Sequence, residues 1–355
     1  MAKISSLAFF SRRAYARIMN PNPCPDCAGG LPLTRRDFLK STATTVAVAA
    51  TMPLAFSADA APKQAKKASS ETLVATFNKS LTDVQRQAIC FPFDHPLRSK
   101  VDNNWHITDQ KLGEFFSKDQ QAMVKEIFLG LHSPEYAETV FKQVEHDGGS
   151  GSGFNGTSVA LFGQPGSGKF EFVITGRHCT RRCDGDSVEG AAFGGPIFYG
   201  HAAQGANEKP DHPGNAYWFQ AKRANEVWKA LDGKQRDLAL LGDGREENGT
   251  ETIKLSGRKT GLPGIPVSEL ARDQKQLVRK VMADLLAPFR KADSDEAMKL
   301  IERNGFDHLH MAFYKNQDVG KDGVWDVWQI EGPSMVWYFR GDPHVHVWVN
   351  VQAKA

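Results

Sequence analysis

The chain has 355 residues, 24% of them charged and 41% hydrophobic, with a formal net charge of +3. The positive excess sits at the start, because 37 of the 44 basic residues and 38 of the 41 acidic ones fall in 61–355. A near-neutral body excludes nucleic acid as an expected partner, and its length suffices for one large domain with its own core.

Thr34-Arg35-Arg36-Asp37-Phe38-Leu39-Lys40 has the pattern of a twin-arginine export signal. Ser41–Phe56 follows as an uncharged, mildly apolar stretch, and Ala58-Asp59-Ala60 offers a small-x-small cleavage site. Residues 1–60 are therefore expected to be a signal peptide, cleaved on export. Arg35 and Arg36 are its recognition pair and the Tat translocase its partner. The expected destination is the periplasm or the exterior of a bacterial cell. No later apolar run approaches ~18 residues, so no membrane anchor is expected after cleavage. Cys24-Pro25-Asp26-Cys27 has the spacing of a zinc or redox pair but lies inside the leader, which removes it from the mature protein. Residues 61–75 read as a flexible spacer and 76–355 as a single domain.

From about 70 to 145 the pattern is helical. Asp83-Val84-Gln85-Arg86, Asp119-Gln120-Gln121, Asp232-Gly233-Lys234-Gln235-Arg236 and Asp273-Gln274-Lys275 each set Asp ahead of Gln at the start of an apolar-periodic run. They read as capped surface helices, with an internal duplication as the alternative. After the Gly/Ser-rich break at Gly148–Gly156, the segments Ser158–Gly163, Phe170–Ile174 and Pro196–Tyr199 read as short strands. Helix returns at 216–241 and 267–304, and the last 50 residues are β, with four of the seven tryptophans: Trp325, Trp328, Trp337 and Trp348. Segregated helices and strands predict an α+β fold with an antiparallel or mixed sheet.

Gly163-Gln164-Pro165-Gly166-Ser167-Gly168-Lys169 fits a phosphate-loop pattern, but Phe170 stands where Ser or Thr would hold magnesium, and a strand follows where a helix is needed. It reads as a hairpin loop. No C-x-x-C-H, H-E-x-x-H or G-x-S-x-G occurs.

All eleven histidines lie after residue 60, four of them as H-x-H pairs: His308-Leu309-His310 and His344-Val345-His346. Residues two apart on a strand share a face. His344, His346, Trp348 and Asn350 therefore face a pocket or solvent, while Val345, Val347, Val349 and Val351 face a core. Two imidazoles so placed can chelate one ion, and imidazole suits zinc, copper and iron. Two adjacent strands could supply four nitrogens. A solvated sheet face binding nothing is the plainer alternative. His178, at the Gly176-Arg177-His178-Cys179 turn, is a third candidate ligand or base; Arg177 and Arg340 are candidate anion-orienting groups. Cys179 and Cys183 read as a small disulfide loop or as structural thiols, with Cys179 as a metal ligand the remaining alternative. His201 and His212 are weaker candidates in Gly/Pro-rich loops. Neither H-x-H pair is followed by the Glu of a cupin, and two pairs are too few for a multicopper oxidase.

Leu161-Phe162-Gly163-Gln164-Pro165, Phe172–His178, Gly195-Pro196-Ile197-Phe198, Gly261-Leu262-Pro263, and the run from Glu331-Gly332-Pro333 through Arg340-Gly341-Asp342-Pro343-His344-Val345-His346 give the chain a likeness from about Gln85 to its end. In these motifs it resembles the bacterial family known as domain of unknown function 3500. The Gly176-Arg177-His178 turn resembles that family's Gly-His-His turn, with Arg177 replacing the first His. The resemblance implies one domain and supplies no reaction.

The expected function is that of an exported metal-dependent protein, an oxidoreductase with ligands drawn from His178, His308, His310, His344 and His346. The alternative is a non-catalytic binding protein, a metal carrier or a module offering its Trp-rich sheet to carbohydrate or protein.

Overall fold

The computed structural model describes residues 68–149, 152–202, 215–315 and 324–353. The expected leader with Arg35 and Arg36, the start of the expected spacer, and His212 lie outside these. The first half runs α1 (Ser70–Ser80), α2 (Asp83–Ile89), β1 (Cys90–Phe91), α3 (Leu112–Phe115), α4 (Lys118–Gly130), α5 (Ala137–Asp147), β2 (Ser158–Gly163), β3 (Phe170–Gly176), β4 (Cys179–Cys183) and β5 (Ile197–His201). The second runs α6 (Trp218–Ala230), α7 (Gly233–Ala239), β6 (Leu240–Leu241), β7 (Ile265–Pro266), α8 (Arg272–Leu286), α9 (Lys291–Asn304), β8 (His310–Tyr314), β9 (Val327–Gly332), β10 (Met335–Arg340) and β11 (Val345–Val351). The α+β expectation holds. The expected spacer ends early, because α1 begins at Ser70, where Ser69 accepts from Thr72 N as N-cap. No described helix is long and apolar enough to cross a membrane.

The strands form one sheet in the order β1-β2-β3-β4-β5-β11-β10-β9-β8-β6, with β7 on β8. The order is symmetric about the antiparallel β5–β11 seam. Each outer strand is a two-residue parallel partner, β1 on β2 and β6 on β8.

The Asp/Gln motifs show the same symmetry in side chains. Gln85 and Gln120 exchange reciprocal amide hydrogen bonds at 3.0 Å. Gln235 and Gln274 do the same at 3.0 and 2.6 Å. In each pair both Oε1 atoms also accept from an N-cap amide, of Thr82 and Ser117 in one half and of Asp232 and Ala271 in the other. Spare amide protons reach the Phe115 and Ser80 carbonyls in the first half, and those of Glu269 and Ala230 in the second. The four motifs are thus one αα junction built twice, and the chain is an internal repeat. Losing one partner strands the amide of the other, buried at Gln85 and half-buried at Gln235. Gln120→Ala and Gln274→Ala should each cost ~1–3 kcal/mol in urea unfolding, and Gln85→Ala/Gln120→Ala less than the sum of its singles.

Both sheet faces are covered, which is why strand burial is continuous rather than alternating. The helices cover one face, over Leu161, Phe172, Ile174, Tyr199, Trp328, Trp337 and the four β11 valines. Two irregular straps, 92–111 and 242–264, cover the other. One packs Trp105 and Ile107 on Phe162 and Val173, and the other packs Ile253 near Phe198, Tyr338 and Trp348. The face expected to meet pocket or solvent is therefore roofed: His346 and Trp348 are buried, and Asn350 donates to the Ile253 carbonyl at 3.1 Å. Trp328, Trp337 and Trp348 are fully buried core residues and offer no surface to a sugar or partner.

Cys90, Cys179 and Cys183 are free thiols. Cys179 and Cys183 stand four apart on one strand, ~13 Å, too far for a disulfide, and both belong to the helix-side core.

His132, just past α4, is buried. Its Nδ1 donates to the Phe128 carbonyl at 2.8 Å, and its Nε2 accepts from Arg181 Nε at 3.1 Å. Burial, and then the Arg181 charge, pushes it down to about 3. The unfolded chain therefore binds a proton that the folded one refuses between about 6.5 and about 3. Stability is complete above that window and falls with acid through it, by up to ~1.4 kcal/mol per pH unit. Urea midpoints at pH 7 and pH 5 should show the loss, and His132→Gln should reduce it, with the other histidines held low supplying the remainder.

Candidate metal centre

The β3–β4 connection is a two-residue turn, Arg177-His178, closed by the Gly176↔Cys179 pair. His178 sits there at φ 54°, a left-handed conformation that a non-glycine residue adopts only under local constraint. The first strap supplies the constraint: His178 N donates to the Asn103 carbonyl at 2.9 Å, and Asn104 bridges Arg177.

Across the seam, His346 pairs with Gly200 and Val345 with His201. Cys179 pairs with Tyr199 on the other side of β5. The strand order thus sets His178 and His346 on either flank of Gly200, which has no side chain to separate them. His344 enters from the turn before β11. All three imidazoles are buried, and their Nε2 atoms converge: His344 to His346 at 2.9 Å, His344 to His178 at 3.1 Å and His346 to His178 at 3.2 Å.

The outer nitrogens fix the tautomers. His178 Nδ1 lies 2.8 Å from Asp147 Oδ2, and His346 Nδ1 lies 2.7 Å from Glu247 Oε2. A carboxylate accepts, so each Nδ1 carries the proton and each Nε2 presents a lone pair. Two lone pairs 3.2 Å apart repel, and a proton on His344 can serve only that residue's own contacts. Protonating the others is opposed. Burial, followed by the charges of Arg340 and His178, pushes His346 well below its ordinary value. Burial also lowers His178, against the pull of Asp147. A metal cation satisfies all three lone pairs at once. At metal–nitrogen distances of ~2.0–2.1 Å these separations subtend roughly 90–105° at the ion, so the three nitrogens occupy one side of it.

The support beneath the ligands is built from the same elements. Asp147 ends α5 and lies between His178 and His201, whose Nδ1 is 3.3 Å away, and it also accepts from Ala202 N at 3.3 Å. Burial works against its charge, but His178 and His201 outweigh this and hold it below the usual carboxylate range. Glu247, on the second strap, also lies 2.6 Å from Arg340 Nε. Burial raises its pKa, opposed by Arg340. Carboxylate–histidine pairs of this kind orient ligands and raise their basicity. Asp147→Asn and Glu247→Gln should each weaken metal affinity by ~10–100-fold in chelator competition with the fold intact.

Of the expected ligands, His178, His344 and His346 come together as a group able to hold a metal ion. His308 and His310 do not join them. β8 lies at the third place from β11, beyond β10 and β9. His310 Nδ1 turns instead to the His308 carbonyl at 3.1 Å. Arg177 flanks His178, and Arg340 is the register partner of His346. No sequence motif marks Asp147 or Glu247 as a partner of these histidines. One clue was available for Asp147: a carboxylate at a helix C-terminus opposes the dipole and needs another reason to be there. Glu247, in a strap without regular structure, gave none.

A family model described as a protein of unknown function, DUF3500, matches residues 63–349. No curated protein and no solved structure gives a match.

Proposed function

The chain belongs to the DUF3500 family, whose function is unknown, and from its own residues we propose that it is an exported metalloenzyme holding one transition-metal ion on His178, His344 and His346. The observation that carries this is the convergence of three Nε2 atoms within 3.2 Å while Asp147 and Glu247 hold two of the outer nitrogens. A structural metal site is closed by four protein ligands, whereas a catalytic one keeps positions open, and three nitrogens on one side of the ion leave the other side for exogenous ligands. Angles of roughly 90–105° lie between octahedral and tetrahedral, and a six-coordinate ion in that arrangement could hold substrate and oxidant together, which is the oxidoreductase reading. The carboxylate–histidine pairs also suit zinc, which would act as a Lewis acid on a bound water. A freely exchanging carrier fits less well, because the imidazoles are buried under a strap.

Export by the Tat route, with release into the periplasm or medium, is the matching reading of Arg35 and Arg36; a protein carried folded can take its metal before crossing. Elemental analysis of the natively exported protein tests the reading. One iron or copper per chain supports the oxidoreductase, one zinc the Lewis-acid enzyme, and metal-free folded protein overturns both. Arg35→Lys/Arg36→Lys should hold the precursor in the cytoplasm; undiminished export would contradict the Tat route.

A further inference from the structure

Arg340 stands beside His346 across the β10–β11 ladder. Its Nε lies 2.6 Å from Glu247 Oε1, an ion pair without hydrogen-bond geometry. Its Nη2 is buried, and no described residue accepts a hydrogen bond from it. A buried guanidinium N–H without an acceptor is costly unless a ligand supplies one. Arg177, beside His178 in the β3–β4 turn, carries a second guanidinium whose charge acts on both His178 and His346. Two guanidinium charges thus act on the centre, and that of Arg340 has an unpartnered buried Nη2.

We propose that the open side of the centre takes a small carboxylic acid, which ligates the ion through an oxygen and sets its carboxylate on Arg340. This rests on the metal reading above. The spare Nη2 can donate a charge-assisted hydrogen bond to a carboxylate oxygen. A monoanion suits the place better than a phosphate ester, because Glu247 and Asp342 already act on Arg340 and would repel a second negative charge. A 2-hydroxy acid has the right parts: a hydroxyl oxygen for the ion and a carboxylate for Arg340.

The test uses the full mature chain loaded with cobalt(II), whose visible absorption reports its ligands. Glycolate should shift the cobalt bands saturably, while its uncharged analogue glycolamide and inorganic phosphate should act at least about tenfold more weakly. Arg340→Gln should keep its cobalt and bind glycolate about 10–100-fold more weakly, with Arg340→Lys between it and the wild type. Equal responses to glycolate and glycolamide, tighter binding of phosphate, or undiminished glycolate affinity in Arg340→Gln would overturn the substrate assignment alone. Failure of the wild-type chain to take up cobalt would overturn the metal reading beneath it. The glycolate–glycolamide comparison is made on wild-type protein and does not depend on any variant folding.

Discussion

His344→Ala/His346→Ala is expected to abolish metal binding and, with it, the response of stability to chelators. An ion that binds only the folded state stabilises it by RT ln(1 + [L]/Kd), ~4 kcal/mol at a thousandfold excess over Kd. For a domain of this size that corresponds to roughly 8–16 °C in Tm. Chelator should lower the wild-type Tm by that order and leave the double variant unmoved. The wild type has two reasons to respond: it loses the binding energy, and it is left with imidazole lone pairs facing one another at 3.2 Å. Because His178 comes from the first repeat and the other two ligands from the second, the loss should appear as loosening of the β5–β11 seam, read by hydrogen exchange at 197–201 and 345–351. A wild-type Tm indifferent to chelator would count against the metal's contribution to the fold.

Gly200→Ala should do comparable damage without touching a ligand. A Cβ there would lie 2.3 Å from the Val345 carbonyl oxygen and 3.4 Å from His346 Cδ2. The first contact is with backbone, so β5 and β11 must part at the point where His178 and His346 meet. Overpacking of this kind costs ~1–3 kcal/mol, and a centre whose ligands are displaced loses affinity as well. Denaturant midpoint and metal content should fall together. Gly242→Ala is the control, since a Cβ there meets nothing within 4 Å. If Gly200→Ala kept full metal content, the account of how the seam assembles the site would be wrong.

The ligands were legible because each carries a local signal. The strict alternation from His344 to Val351 assigns His346 to one face and the valines to the other, and a histidine in a tight turn between strands is an odd choice. Strand order had no such signal, so the sequence could not separate His308 and His310 from the three histidines that converge. It takes the β11-β10-β9-β8 order to show that two strands intervene. Asp147 and Glu247 meet their histidines only through tertiary packing, across 31 and 99 residues. The roof over the histidine face was hidden for a related reason: straps 92–111 and 242–264 have little periodicity, and single apolar residues such as Trp105 and Ile253 do the covering. The duplication was half visible. The Asp/Gln motifs recur, but the spacing between equivalent residues drifts from element to element. The shared logic is also not the aspartate, which caps only α7, but the glutamine that closes each junction.

X-ray absorption at the metal edge of protein purified from its native host is the decisive measurement for the metal centre. About one transition metal per chain is expected in a nitrogen and oxygen shell, with three imidazoles at ~2.0–2.2 Å and further light-atom ligands on the open side, and the imidazole signal should be lost in His344→Ala/His346→Ala. A folded wild-type chain without metal, or a metal with sulfur ligands or with its imidazole shell unchanged in that variant, would contradict it.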